Sequence, residues 1–150
     1  MQPVSVICLF CEDIRQEQNG INTLVGILPD NMAFTKLPAI LPKLGIYVRI
    51  NIDPFVDPDT MTLSLSVPGI DDHIPIAEIE PSLLEKTRKD AQATGSPIAG
   101  IISRVVFSPF NIPQEGRIRA LATIRGEPVT CGSLNIVLKA SASSTIVSAA

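Results

Sequence analysis

The chain is 150 residues long, 45% hydrophobic but only 4% aromatic, with no Trp and a formal charge of −3. This apolar content excludes a disordered chain, and the weak acidic balance excludes a general nucleic-acid binder, whose affinity comes from many Lys and Arg on phosphates. No run reaches the ~20 apolar residues of a membrane helix, so no membrane partner is expected either.

At this length one domain is expected, spanning residues 1–150 and burying roughly 70% of the surface its unfolded chain exposes. With so few aromatics, its core must come from Val, Ile, Leu and Ala. The apolar stretch 4–11 is short, has no basic residue before it and is followed by Glu12 and Asp13, so it does not read as a signal peptide. Three cysteines, an odd number without an export signal, are expected to be free thiols in a reducing compartment.

In chain order, the first predicted strand covers residues 4–16. Asn19-Gly20 then predicts a two-residue type I′ hairpin turn, which needs positive φ at both central residues. The implied register sets Gln16 opposite Thr23 and Ile14 opposite Val25, with Ile14, Val25 and Ile27 on the face of Phe10. Residues 29–42 contain three Pro and no lasting period, and they read as a long connection. Residues 44–53 alternate most clearly. Leu44, Ile46, Val48, Ile50 and Ile52 share one parity, while Gly45, Tyr47, Arg49, Asn51 and Asp53 share the other. A period of two means one dry face and one wet face.

Residues 60–67 repeat the pattern with Met61, Leu63, Leu65 and Val67. Residues 74–79 contain Pro75 and belong at a sheet edge. Residues 80–94 are the only helical candidate. Pro81 suits a first helical position, and Gly95 with Pro97 suits a stop, but the apolar stripe of Leu83, Leu84 and Ala91 is thin and an ordered loop fits equally well. Strands return at 99–108, 117–125 and 133–140, and a small polar tail carries Ile146-Val147. The expected architecture is all-β: an immunoglobulin-like or C2-like antiparallel β-sandwich of seven to nine strands with one short helix.

Four constellations invite chemistry. Cys8-Leu9-Phe10-Cys11 has C-x-x-C spacing, and Cys131 with His73 completes a Cys₃His set by count. Residues three apart in a strand face opposite ways, about 10 Å apart, which argues against a shared metal or a disulfide. Asp53, Asp57, Asp59 and Asp71 lie in two loops flanking one strand, an oxygen cluster of the kind that holds calcium at one end of a sandwich. Asp53-Pro54-Phe55-Val56 resembles a phrase of C2-type modules, although solvated turns have the same composition.

Arg117, Arg119 and Arg125, joined by Arg104, define a face that could meet phosphate, carboxylate or a partner, or be solvated. Asp71-Asp72-His73 offers a base and an orienter, but no nucleophile elbow, phosphate loop or H-E-x-x-H accompanies it. Asp13 and Arg15 sit late in a strand whose start is apolar on both faces. An unpaired charge there is costly, so a structural ion pair between them is expected.

Cys11-Glu12-Asp13-Ile14-Arg15-Gln16-Glu17, then Asn19-Gly20, then Leu24-Val25-Gly26, resembles the opening of a small bacterial and phage family of uncharacterised proteins. Their N-termini read C-[DE]-D-[IV]-R-x-E, a turn glycine, then [ST]-L-[IV]-G. Phe107-Ser108-Pro109, Gly116 and Arg125-Gly126-Glu127 are similar to that family's closing segment. Arg117 departs from it where a Tyr is expected, and Arg125 where an acid is expected. The resemblance covers the two ends and leaves the middle unmatched. It implies an immunoglobulin-like sandwich and supplies no catalytic residue.

The leading expectation is a non-catalytic binding or assembly module without a cofactor, a phage or bacterial structural or accessory protein that works through a protein partner or self-assembly. It would be cytoplasmic, or part of a virion if phage-encoded. The alternatives are a calcium-dependent or small-ligand-binding C2-like sandwich, and an enzyme with its site near Asp71 and His73.

Overall fold

The computed structural model describes residues 4–139. In chain order the elements are β1 (Val4–Gln16), β2 (Asn22–Ile27), β3 (Asn31–Phe34), β4 (Ala39–Leu41), β5 (Leu44–Ile52), β6 (Met61–Ser66), β7 (Ile74–Ile79), α1 (Pro81–Thr94), β8 (Ala99–Phe107), β9 (Phe110–Ile112), β10 (Gly116–Ile124) and β11 (Glu127–Leu138). The alternation in β5 organises them. Leu44, Ile46, Val48, Ile50 and Ile52 are all buried, while Arg49 between them is exposed. β6 does the same with Met61, Leu63 and Leu65, and β10 with Ile118, Ala120 and Ala122. Each dry face needs another to cover it, and the result is an all-β sandwich with a single helix among the described residues.

One sheet has the order β2-β1-β5-β8 and the other β3-β11-β10-β6-β7, with a small β4-β9 pair beside them. Pairing is antiparallel throughout except for β3, which lies parallel to β11. The eleven strands among the described residues exceed the expected seven to nine. The surplus is β3, β4 and β9, of four, three and three residues, too short to display a period. Two of them lie in the stretch 29–42 that reads as an irregular connection. Pro75 is in β7, which is an edge strand as expected. Residues 146 and 147 lie outside the described residues.

The first hairpin departs from the expected register. Gln16 pairs with Asn22, Ile14 with Leu24, Asp13 with Val25 and Cys11 with Ile27. Only Gly20 of the turn pair has positive φ, at 81°. Its N–H bonds the Glu17 carbonyl at 3.0 Å, and the Glu17 N–H bonds the Ile21 carbonyl at 2.7 Å. This is the three-residue loop with a glycine bulge, not the two-residue turn. A slip of one residue exchanges the two faces of a strand. Val25 and Ile27 therefore sit with Asp13 and Cys11 on the side away from Phe10, and both are exposed.

The helix forms as its punctuation predicts. Pro81 opens it, and Gly95 closes it in the left-handed region at φ 71°, where a residue without Cβ is unstrained. Leu84 and Ala91 face the core, whereas Leu83 is exposed. The Glu85–Lys89 pair forms at 2.9 Å on the open side. The helix joins β7, an edge of the five-stranded sheet, to β8, an edge of the four-stranded one, and so covers that seam of the sandwich. At the other seam the chain passes from edge strand β2 to edge strand β3 through residues 28–30 alone. That link is held by Leu28 N–H to the Phe10 carbonyl and Asn135 N–H to the Asp30 carbonyl, both 2.8 Å. Among the described residues no helix is long and apolar enough to cross a membrane.

Candidate functional site

This second seam, which no helix covers among the described residues, holds a pocket of about 580 Å³. Glu12 and Asp13 reach it from β1, Val25 and Ile27 from β2, Met32 and Phe34 from β3, and Leu41 and Lys43 from the β4–β5 region. Its walls are mostly apolar, because the three-residue hairpin loop turns Val25 and Ile27 outward and the short β3 lays Met32 and Phe34 beside them. A ligand site is commonly a concavity of roughly 300–1,000 Å³ with apolar walls and a few placed polar groups, and this one matches in size and lining.

Its polar groups gather around β1. Asp13 Oδ1 accepts the Ile14 N–H at 2.9 Å, and Oδ2 lies 3.3 Å from Lys43 Nζ. The expected Asp13–Arg15 pair is thus replaced by Asp13–Lys43. The turn before β5 carries Lys43 to the carboxylate from a chain position that strand spacing could not foresee. Glu12 rests its carboxyl over Gly26. A Cβ at position 26 would lie 2.7 Å from Glu12 Cδ, and the residue's φ is +63°, a backbone conformation that favours glycine there.

The other expected sites are not brought together. Asp53 accepts the Phe55 N–H and Asp57 the Asp59 N–H, at 2.9 and 2.8 Å, and Asp57 Oδ1 also lies 3.9 Å from Arg88 of the helix. That loop is also tied down from outside. Arg88 Nε and Gln92 Nε2 of the helix donate to the Pro54 carbonyl at 3.2 and 2.7 Å, and Arg125 donates to the Asp57 carbonyl. No group of three or more His, Cys, Asp or Glu side chains is placed to hold a metal ion among the described residues. Asp53, Asp57, Asp59 and Asp71 accordingly do not form a cage.

The arginine face divides as well. Arg117 and Arg119 are exposed on β10, while Arg125 stands in the β10–β11 turn at φ 54°, about 26 Å along the strand from Arg117 at 3.3 Å per residue. Arg104 belongs to the other sheet and donates to Gln16 Oε1 at 2.8 Å. Asp71, Asp72 and His73 are all exposed in the β6–β7 loop, and no ion pair joins them among the described residues.

The cysteines arrange themselves in a way the spacing did not show. Cys8 faces the core, and Cys11 is buried on the opposite side of β1 against Gly45, as residues three apart in a strand must be. Cys131 is the extra residue of a β-bulge, where Ala120 pairs with Gly132 and Leu121 with Thr130. A bulge re-aims its side chain, and here it turns Cys131 inward, with Sγ donating to the Ala120 carbonyl at 3.2 Å. Interaction with the Cys131 thiol, then burial, pushes the Cys8 thiol far up, and the same interaction brings the Cys131 thiol down. Burial pushes the Cys11 thiol up. All three are free thiols.

Fold and pocket together define a class: an all-β sandwich with a ligand-sized apolar pocket at one seam. Residues 6–137 match the family of unknown function DUF6941, and the chain belongs to that family. The motifs at its two ends point to such a small uncharacterised family. Among curated proteins none matches the chain. A Niemann-Pick type C2 protein from the Japanese carpenter ant is structurally similar over 73% of this chain and 79% of its own, at 13% identity and a TM-score of 0.30. A likeness of that size carries no argument about function.

Proposed function

We propose that this protein is a non-catalytic binding module for a small, largely apolar molecule held at the β2–β3 seam. The observation that carries the reading is the pocket of about 580 Å³ with walls from Val25, Ile27, Met32, Phe34 and Leu41. Burial of that apolar surface supplies the affinity, at about 25 cal/mol per Å² removed from water before the costs of association are counted.

The test uses the neutral fluorophore N-phenyl-1-naphthylamine. Its emission should rise and saturate with one equivalent of wild-type protein. Ala33→Trp, which fills the pocket, should abolish the signal while the thermal transition is kept. Ile27→Asp, at a wall position already exposed, should do the same should the Trp variant fail to fold. A flat titration of the wild type, or binding that survives in a folded variant, overturns the reading.

A second reading retains the expected assembly role. Register places Ile7, Leu9, Ile102 and Val106 on the outer face of the four-stranded sheet, all exposed, with Tyr47, Arg49 and Arg104 among them, a mixed surface of the kind that contacts a partner. The occupant proposed is a second copy. Light scattering should then report a mass above one chain that falls to one chain in Ile7→Lys, and a wild-type monomer at every concentration overturns it.

A further inference from the structure

We propose that the ligand of the seam pocket is an amphiphile with a cationic head, an alkyl or aryl body bearing a protonated amine, and that Glu12 receives the head. This rests on the reading of the pocket as a ligand site and adds the class of ligand.

Three charged side chains line the pocket, the carboxylates of Glu12 and Asp13 and the ammonium of Lys43. Asp13 and Lys43 satisfy each other at 3.3 Å, and the remaining Asp13 oxygen is held by a backbone N–H. The lining therefore keeps one uncompensated negative charge, on Glu12, which forms no ion pair among the described residues. That carboxylate lies over the bare backbone of Gly26, where an added Cβ would stand 2.7 Å from its Cδ and 2.9 Å from its Oε1.

Residues from both halves of the opening motif, Glu12 and Asp13 from the first and Gly26 from the second, thus converge where the pocket turns polar. Glu12 follows the Phe10 side of β1, opposite to Val25 and Ile27, and joins the pocket lining at the sheet edge; a greasy body on the apolar walls with a positive end reaching that edge is complementary to it. An anionic head would meet Glu12 and would have to displace Asp13 from Lys43. A neutral alcohol would gain the walls and a weaker hydrogen bond.

The experiment displaces N-phenyl-1-naphthylamine from the wild-type protein with decylamine, decanoate and decanol, at neutral pH, low salt and concentrations below micelle formation. Decylamine should compete about fivefold more tightly than decanoate, the size of one partly exposed charge contact, and added salt should shrink the ratio. Glu12→Gln should bring the two within about twofold of each other and leave decanol unchanged. Decanoate competing as well as or better than decylamine, or an unchanged ratio in Glu12→Gln, overturns the cationic assignment while the pocket reading stands. Failure of all three to displace the probe, or failure of the probe to bind, overturns both.

Discussion

Replacing Ile50 with Ala should lower folding stability by about 2–5 kcal/mol, the range for deleting a large side chain from a packed core. Arg49→Ala, one residue away, should change it by under about 0.5 kcal/mol. Ile50 is fully buried, paired on one side with Val6 and on the other with Ile101. Its strand is central in its sheet, so neither neighbour can move into the void without distorting a ladder. Arg49 points the other way and is exposed. A loss of that size is a large part of the 5–15 kcal/mol that usually separates folded from unfolded chains. Urea denaturation measures it, as a lower midpoint with an unchanged slope. Equal losses at 49 and 50 would contradict the assignment of faces.

The second large effect should come from Gly132→Ala, which adds one carbon. That carbon would lie 2.8 Å from Cys8 Cβ and 3.1 Å from the Cys8 carbonyl oxygen. Neither atom can rotate away, since one is the root of a side chain and the other belongs to the backbone. The two sheets must part locally, and overpacking of this kind costs about 1–3 kcal/mol or more. Gly100→Ala is the control, because the nearest atom to its Cβ would be 3.9 Å away and its φ is not positive. Calorimetry should show a transition several degrees lower for Gly132→Ala and little change for Gly100→Ala. Paired with Cys8→Gly, Gly132→Ala should cost less than the two changes summed; strict additivity would mean that the two residues do not meet.

Legibility from sequence varied with the length of the signal. β5 and β6 were readable because five and four consecutive apolar positions alternate there, and Pro81 with Gly95 bracketed the helix. β3, β4 and β9 were hidden because a strand of three or four residues presents at most two side chains to a face. β11 was seen only from residue 133 because the bulge at Cys131 interrupts its alternation, and the same bulge concealed the Cys8–Cys131 contact. The pocket was lost to one misread turn. Asn19-Gly20 suits two hairpin geometries that differ by a single residue, and the wrong one sends Val25 and Ile27 inward.

The asymmetry between the two seams sets how the molecule comes apart. Among the described residues, β5 and β10 are hydrogen-bonded along both sides, β2 and β3 each have one neighbour, and the helix straps only the far seam. Fluctuations too weak to melt the whole domain are expected first at the β3 edge, where four residues pair with β11 alone among the described strands. A molecule entering between β2 and β3 would meet the least cooperative part of the sandwich, and its arrival would be felt as a tightening of that edge.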